Sequence, residues 1–320
     1  MYTIIVTGGL GFIGSNLIKL LEKKNYYIIN IDKINYSSNV KNIPDNIQNY
    51  KFYKEDINNR TAIKNIINKY NPKIIYNLAA ETHVDRSIDD PKNFINSNIL
   101  GIYNLLEVIR SLKKKIKFIQ ISTDEVYGDI ENKKNSKELD AYNPSSPYAA
   151  SKASADLIAR SYYRTYGLDV RITRCSNNYG PNQFTEKVIP LFITNLIDGV
   201  KVPVYGNGSN VRDWLHVDDH CRGIFSVLSG GRAGEIYNIG GGTELTNLEL
   251  TQKILNLMGK DESFIEHVAD RLGHDMRYSV NMDKISHELG YRPLVNWEVG
   301  IAKTVEWYQG NEAWWRPLKN

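Results

Sequence analysis

The stretch "ISTDEVYG" at residues 121–128 places two acidic residues directly after an apolar strand pattern. Thr123 ends the strand, and Asp124 and Glu125 follow at once. Adjacent carboxylates repel each other, and burying either one unpaired is costly. A strand end that only needed a turn would more often use Gly, Asn or a single Asp. The pair is therefore either a solvated loop feature or an acid and a base placed within reach of each other.

A second pair with chemical potential lies in "SPYAASK", where Tyr148 and Lys152 are four residues apart. This spacing puts both side chains on one face of a helix. A free tyrosine, with a pKa of about 10, is a poor base at neutral pH. A nearby ammonium favours its anion, so Tyr148 is expected to take a proton from a hydroxyl while hydride leaves the same carbon. The alternative is two unrelated surface residues.

The chain opens with a glycine-rich turn, "TGGLGFIG", in which Gly8, Gly11 and Gly14 lie between a strand and a helix. Glycines there let the backbone approach a pyrophosphate, which the helix N-terminus also favours. Asp32, at the end of the second strand, is placed to accept hydrogen bonds from a ribose 2′-hydroxyl and to repel a 2′-phosphate. The pattern predicts NAD rather than NADP. The alternative is a tight turn with a capping Asp. Asp56 and Ile57, at the end of the third strand, are expected to flank the adenine.

Strand and helix patterns alternate through the first half, which predicts an α/β fold with a Rossmann-like doubly wound parallel sheet. The regular alternation of strand and helix patterns ends after about Tyr179, which indicates a smaller mixed α/β substrate domain. We predict a cofactor domain over residues 1–178, to which 209–240 return, and a second domain over 179–208 and 241–320. The cleft between them is the expected binding site.

Composition limits the other classes. The chain has 320 residues with 40 basic and 36 acidic side chains, a near balance that does not argue for nucleic acid. The two cysteines, Cys175 and Cys221, have no metal-ligand spacing, and they fit a reducing cytoplasm. No apolar run approaches the roughly 18 residues of a membrane helix. We therefore expect a cytoplasmic protein with no membrane segment and no metal.

Several stretches carry a family resemblance: the glycine turn, the Tyr-x-x-x-Lys pair, "STDEVYG", "NLAAETHVDRS", "RCSNNYGPNQ" and "NVRDWLHVDDH". They resemble the extended short-chain dehydrogenase/reductases that act on nucleotide sugars, and most closely the dTDP-glucose 4,6-dehydratase branch. The resemblance implies oxidation at C4, elimination of water across C5–C6 and return of the hydride to C6. It implies Glu125 as the base, Asp124 as the acid, and a hydrogen bond from Thr123 to the 4-oxygen. Lys152 would also hold the nicotinamide ribose.

The resemblance also implies binding residues. Further cofactor contacts are expected at Phe12, Ile13, Lys33, Asn35, Leu78, Ala79, Ala80, Thr82, Ser97 and Asn178. Contacts with the nucleotide sugar are expected at Thr82, Thr123, Asn177, Lys187, Val188, Pro203, Tyr205, Arg212, Asn247, Arg271 and His274. The three cations Lys187, Arg212 and Arg271 suit a diphosphate. A homodimer is implied, paired through two long helices around 92–112 and 147–166.

Other readings stay open at this point. A UDP-sugar 4-epimerase or decarboxylase would keep Tyr148, Lys152 and the glycine turn, but it has no use for Asp124 beside Glu125. Sequence alone poorly distinguishes a 4,6-dehydratase that acts on a UDP-sugar from one that acts on dTDP-glucose. An inactive NAD-binding regulatory protein is a third possibility, although such proteins usually lose one of the five catalytic side chains.

Overall fold

The computed structural model describes residues 2–131 and 134–319. Strands and helices alternate through the first half, as the sequence predicts. In chain order they are β1 (Thr3–Thr7), α1 (Phe12–Lys23), β2 (Tyr27–Asp32), β3 (Tyr50–Lys54), α2 (Arg60–Tyr70), β4 (Ile74–Asn77), α3 (Val84–Asp89), α4 (Lys92–Phe94), α5 (Gly101–Leu112), β5 (Lys117–Thr123), α6 (Pro147–Tyr166) and β6 (Val170–Cys175).

The second half mixes shorter strands with helices. These are β7 (Asn177–Tyr179), α7 (Val188–Ile197), β8 (Val202–Tyr205), β9 (Val211–His216), α8 (Val217–Gly230), β10 (Ile236–Ile239), β11 (Glu244–Thr246), α9 (Asn247–Leu257), β12 (Ile265–Val268), β13 (Arg277–Tyr278), α10 (Asp283–Leu289), α11 (Trp297–Gly310) and α12 (Glu312–Trp315).

The main sheet has seven strands in the order β3-β2-β1-β4-β5-β6-β10. Every neighbouring pair in it is parallel. The order reverses between β1 and β4, which is the point where doubly wound sheets bind ligands outside the carboxyl ends of their strands. The predicted Rossmann-like fold is confirmed.

Helices cover both faces of this sheet. Helices α1 and α8 pack together on one face, and α2, α5 and α6 cover the other. The central strands are buried on both sides, so they read as unbroken apolar runs rather than as alternating patterns. The strand "IIVT" of β1 is an example, with Ile4 and Ile5 almost fully buried on opposite faces.

The later elements form a smaller layer beside the main sheet. Strands β11, β9 and β13 make a small sheet that β7 also joins, and β12 pairs with β8. Their core includes Trp297, Tyr308 and Trp315. Strand β10 lies in the main sheet and α8 packs on it, whereas β9 belongs to the small sheet. The proposed boundaries of the two domains remain a prediction.

The segment predicted as one helix around 92–112 is helical throughout but not uniform. Between α4 and α5, residues Ile95–Leu100 form a π-helical segment. Such segments often occur at functional sites because they turn side chains away from the regular helical positions. Here Asn98 points inward, donating to Ser151 Oγ of α6 at 2.8 Å. Among the described residues, no helix is long and apolar enough to cross a membrane.

Candidate active site

A deep cleft lies at the carboxyl ends of the main-sheet strands. All five predicted catalytic residues line it, and so does every predicted cofactor contact. The cofactor set is Gly8, Gly11, Phe12, Ile13, Gly14, Asp32, Lys33, Asn35, Asp56, Ile57, Leu78, Ala79, Ala80, Thr82, Ser97, Tyr148, Lys152 and Asn178. Residues that are far apart in the sequence are thus brought to one surface by the parallel sheet.

The glycine turn forms a tight cradle that leaves no room for a side chain at two of its glycines. Gly8 has a positive φ of 70°, and a Cβ there would lie 2.7 Å from the backbone nitrogen of Ala79. A Cβ on Gly14 would lie 2.3 Å from the carbonyl oxygen of Gly8. Only glycine fits these closely packed backbone positions. Gly8, Gly11 and Gly14 line the cleft where α1 begins, and the helix N-terminus there favours an anion. The cradle fits the pyrophosphate of a dinucleotide.

Asp32 is fixed beside this turn at the end of β2. Its Oδ2 accepts a hydrogen bond from the Leu10 amide at 3.0 Å. Its Oδ1 accepts from the Ile34 amide at 2.8 Å and from Ser38 Oγ at 2.9 Å. The carboxylate is thus held rigidly in the cleft wall, where it suits a ribose hydroxyl and opposes a 2′-phosphate. Asp56 and Ile57 follow the end of β3 at Lys54 by a short distance.

A tight turn displays the two acidic residues of the opening motif. Strand β5 ends at Thr123, and a short 3₁₀ helix, here named the carboxylate turn, spans Asp124–Tyr127. Thr123 Oγ1 accepts a hydrogen bond from the Glu125 amide at 3.3 Å and donates to Asp124 Oδ1 at 3.2 Å. Asp124 Oδ2 has no hydrogen-bond partner among the described residues. The turn therefore presents both carboxyl groups to the cleft, and they are not a solvated loop pair.

The two carboxyl groups lie in different electrostatic surroundings. Burial raises the pKa of Asp124 well above its ordinary value, and the charges of Glu125 and Asp213 raise it further. Burial also raises the pKa of Glu125, but the cations Arg212, Lys187 and Arg271 oppose this increase. Two neighbouring carboxyl groups in different surroundings can divide the roles of acid and base. The negative neighbours of Asp124 suit it to the role of the acid, and the cations around Glu125 suit it to the role of the base.

Tyr148 and Lys152 lie on the inner face of α6, and both are buried. The pKa of Tyr148 is well above its ordinary value, chiefly because of burial and then because of the charge of Glu125. The neighbouring Thr123 side chain lowers the pKa only in part. Lys152 Nζ donates to the carbonyl oxygen of Ile121 at 2.6 Å. The sequence-based expectation that Lys152 lowers the pKa of Tyr148 is therefore not met by the protein groups alone, because burial outweighs it.

The predicted substrate contacts divide into two groups. Thr82, Thr123, Asn177 and Lys187 line the cleft itself. The other seven, all from the second half of the chain, do not line it: Val188, Pro203, Tyr205, Arg212, Asn247, Arg271 and His274. Lys187 Nζ donates to the carbonyl oxygen of Thr82 at 2.8 Å, which ties the second half to the cleft wall.

Of these seven residues, which we call the outer group, three form one patch: Tyr205, Arg271 and His274. The Arg271 guanidinium lies 4.9 Å from the ring centroid of Tyr205, and the His274 ring is 6.0 Å from the same ring. Arg271 also pairs with Asp85 at 3.0 Å, across from the first half of the chain. Stacked aromatic and guanidinium groups of this kind suit a nucleotide.

The remaining members of the outer group contact the backbone or the core, or lie within strands and helices. Arg212 donates to the backbone carbonyls of Val211 and Asp275 at 2.7 and 2.9 Å. Val188 packs beside the core of the small layer. Pro203 lies in β8, in register with Glu266 of the neighbouring strand β12, and Asn247 begins α9. Their contact with a ligand stays a prediction.

One group at the cleft has no local signature in the sequence. Glu186 lines the cleft, accepts a hydrogen bond from Tyr36 Oη at 3.0 Å and accepts another from Arg86 Nε at 3.2 Å. The Arg86 guanidinium also stacks 3.9 Å from the ring centroid of Tyr36. These residues come from three separate segments, so no local pattern could unite them. We name this cluster of Tyr36, Arg86 and Glu186 the latch, because it joins the two halves of the chain across the cleft.

The strand order, the glycine cradle and the Tyr148–Lys152 pair define an extended short-chain dehydrogenase/reductase. The family model of GDP-mannose 4,6 dehydratase matches residues 5–304. A dTDP-glucose 4,6-dehydratase of Streptomyces niveus is 49% identical over 99% of this chain and 96% of that protein. Another, from Escherichia coli, is 43% identical over 98% of this chain and 95% of its own length. The chain belongs to the dTDP-glucose 4,6-dehydratase family.

Solved structures agree with this placement. The crystal structure of DesIV, a dTDP-glucose 4,6-dehydratase from Streptomyces venezuelae with NAD and dTDP bound, has a TM-score of 0.96 at 49% identity and covers 99% of this chain and 100% of that one. A UDP-glucose 4-epimerase from Thermotoga maritima has a TM-score of 0.91 at 30% identity, covering 97% and 99%. Because epimerases share the fold, the reaction has to be argued from the site.

Proposed function

We propose that this chain is an NAD-dependent lyase that converts dTDP-glucose to dTDP-4-keto-6-deoxyglucose and water, a step of deoxysugar biosynthesis. One observation carries the proposal: two adjacent carboxyl groups, those of Asp124 and Glu125, line the same cleft as Tyr148. An epimerisation has no elimination step and needs no such pair. Family membership and the NAD-bound relative support the same reading.

The first step removes two hydrogens from C4 of the sugar. Bound NAD would accept the C4 hydride and later return it to C6. Tyr148 takes the proton of the 4-hydroxyl, and Thr123, which lines the same cleft, is placed to hold the same oxygen. Burial favours the neutral phenol, so ionisation of Tyr148 requires the positive charge of Lys152 and of the oxidised cofactor. The NAD site itself is supported by the cradle of Gly8 and Gly14 and by Asp32.

The second step eliminates water across C5 and C6. The new 4-keto group makes the C5 hydrogen acidic, and Glu125 removes it as a proton. Lys187, Arg212 and Arg271 favour the ionised form of Glu125, as a base requires. Asp124, whose pKa is raised by burial and then by the charges of Glu125 and Asp213, gives its proton to the departing 6-hydroxyl. One carboxyl group thus removes a proton and its neighbour supplies one, so the elimination is balanced. Return of the hydride to C6 requires a proton at C5, and protonated Glu125, which can exchange with solvent, gives it back.

The nucleotide diphosphate is proposed to bind toward the second half of the chain. Lys187 and Arg271 supply positive charge at the border of the cleft, and Tyr205 offers a flat surface beside Arg271. Guanidinium groups bind phosphate oxygens well because their donors form a planar fork. The choice of dTDP over UDP is supported by the relatives rather than by a contact in this chain.

The proposal is tested by mass spectrometry of dTDP-glucose incubated with the purified protein and no added NAD. Loss of one water is expected, and Tyr148→Phe should abolish it because the proton acceptor is removed. Reaction of UDP-glucose or UDP-N-acetylglucosamine alone would leave the chemistry intact and overturn the substrate. Bound NAD without reaction of any sugar would support a regulatory protein instead.

We further propose that the chain forms a homodimer in the cytoplasm. Helices α5 and α6 pack together and expose large apolar side chains on the outside. Tyr103 is 39% exposed, Leu157 is 52% and Tyr166 is 51%. A pair of helices with such side chains can form a four-helix interface with a second copy. Both cysteines are free thiols, which supports a reducing compartment.

A further inference from the structure

One buried charge near the active site has no part in the proposed reaction. Arg174 is fully buried in β6, where its neighbours in register are Ser122 of β5 and Asn238 of β10. A buried guanidinium is costly unless its charge is paired and its donors are satisfied. The contacts of Arg174 should therefore indicate what it does.

The first contact leads to the catalytic helix α6. Arg174 Nε donates to Asp156 Oδ2 at 2.9 Å, and both side chains are fully buried. Asp156 lies one helical turn after Lys152 and two after Tyr148, on the same face of the helix. The ion pair therefore anchors the face of α6 that carries the Tyr-Lys pair. The charge of Asp156 also acts directly on Lys152.

The second contact leads to the carboxylate turn. Arg174 Cζ lies 4.7 Å from the ring centroid of Tyr127 and 4.5 Å from that of Tyr142. Nη1 and Nη2 have no hydrogen-bond acceptor among the residues that the structure describes, so the two rings stabilise that side of the cation. Tyr127 is the last residue of the carboxylate turn, and its hydroxyl donates to Asn238 Oδ1 at 2.8 Å.

We propose that Arg174 is a positioning residue, which fixes the carboxylate turn relative to the catalytic helix α6. The inference rests on the proposed function, because oxidation and elimination then act on one sugar from two separate elements. Tyr148 must reach C4 while Glu125 reaches C5 of the same ring. A displacement of about 1 Å can reduce a rate roughly 100-fold without removing any reacting group.

The test uses R174M and the double variant R174M/D156N. The double variant removes both charges of the ion pair, so neither Arg174 nor Asp156 is left as an unpaired buried charge if R174M alone folds poorly. We expect C4 oxidation to persist while water loss falls about 100-fold, because the two elements no longer hold a common geometry. Reduced nicotinamide should then accumulate during turnover, as measured by its near-ultraviolet absorbance. Hydrogen–deuterium exchange of residues 124–128 should become about tenfold faster.

R171M is a matched control on the same strand. Arg171 is buried as well, but it donates to the carbonyl oxygens of Val227 and Leu228 at 2.8 and 2.7 Å, away from the catalytic elements. It should lower Tm without accumulation of reduced nicotinamide and without faster exchange at 124–128.

Two results would overturn the role of Arg174. One is a folded R174M/D156N protein that dehydrates the sugar at the wild-type kcat with unchanged exchange at residues 124–128. The other is equal accumulation of reduced nicotinamide in R171M, which would point to general destabilisation. A wild type that dehydrates no sugar would count against the proposed function, and the exchange measurement would still decide whether Arg174 orders the turn.

Discussion

Glu125→Gln separates the two halves of the proposed reaction. The substitution keeps the size of the side chain but removes the base that takes the C5 proton. A positioned general base contributes about 10²- to 10⁴-fold to a rate. Water loss should fall by that factor, which corresponds to about 3 to 5 kcal/mol of transition-state free energy.

Oxidation at C4 should persist in Glu125→Gln, and it should become possible at lower pH. After burial, the negative charge of Glu125 is the largest cause of the raised pKa of Tyr148. Removing that charge makes the phenol easier to ionise, so the pKa of Tyr148 falls. The pH profile of C4 oxidation should therefore shift toward acid in Glu125→Gln, while reduced nicotinamide accumulates.

Stopped-flow absorbance of reduced nicotinamide, followed by mass spectrometry of the quenched sugar, measures both halves. Asp124→Asn is the informative comparison, because it keeps the base and removes the acid. It should exchange the C5 hydrogen with deuterated water while losing water slowly, whereas Glu125→Gln should not exchange that hydrogen. Glu266→Gln, an exposed glutamate on β12, is the control for the loss of a charge. Dehydration by Glu125→Gln at the wild-type rate would refute the base assignment, and an unmoved oxidation profile would refute the electrostatic link to Tyr148.

Three further predictions follow from other contacts. Glu186→Gln or Tyr36→Phe weakens the latch. Because a hydrogen bond to a charged group contributes about 1.5–3 kcal/mol, NAD should dissociate roughly 10- to 100-fold faster. Cofactor content after gel filtration measures this, and full retention of NAD would contradict the role of the latch. Tyr103→Glu should give a monomer by light scattering, whereas a wild-type monomer at micromolar concentration would refute the dimer. Burial lowers the pKa of His220 to about 3, so this side chain stays neutral in the folded state while the unfolded chain binds a proton below about 6.5. Wild type should therefore lose roughly 1.4 kcal/mol of stability per pH unit between that value and about pH 3, relative to His220→Asn, as chemical denaturation measures.

The sequence predicted the sheet because its signals are local. Apolar runs such as "TIIVT" and the glycine turn each depend on neighbouring residues, and the parallel topology then brings the strand ends together. The catalytic segment from Thr123 to Glu125 and the Tyr148–Lys152 pair are short motifs, so their place in the cleft could be expected from pattern alone. The predicted roles of the individual residues remain to be tested.

Other features depend on tertiary contacts and could not be read in advance. The latch joins Tyr36 to Glu186, which lie 150 residues apart in the sequence. The Arg174–Asp156 pair joins a strand to a helix, and both residues look unremarkable in the sequence. The pKa of Tyr148 is set mainly by burial, which a motif does not report. The π-helical segment at Ile95–Leu100 also has no signature in its apolar and polar spacing.

The most direct test of the central claim uses dTDP-glucose that carries deuterium at C4. If one site oxidises C4, eliminates water and returns the hydride, the product should have lost one water and carry the deuterium at C6, with no NAD added. In deuterated water, unlabelled substrate should gain one deuterium at C5. Deuterium that stays at C4, or that is lost to solvent, would contradict the proposed reaction even if the protein binds both NAD and the sugar nucleotide.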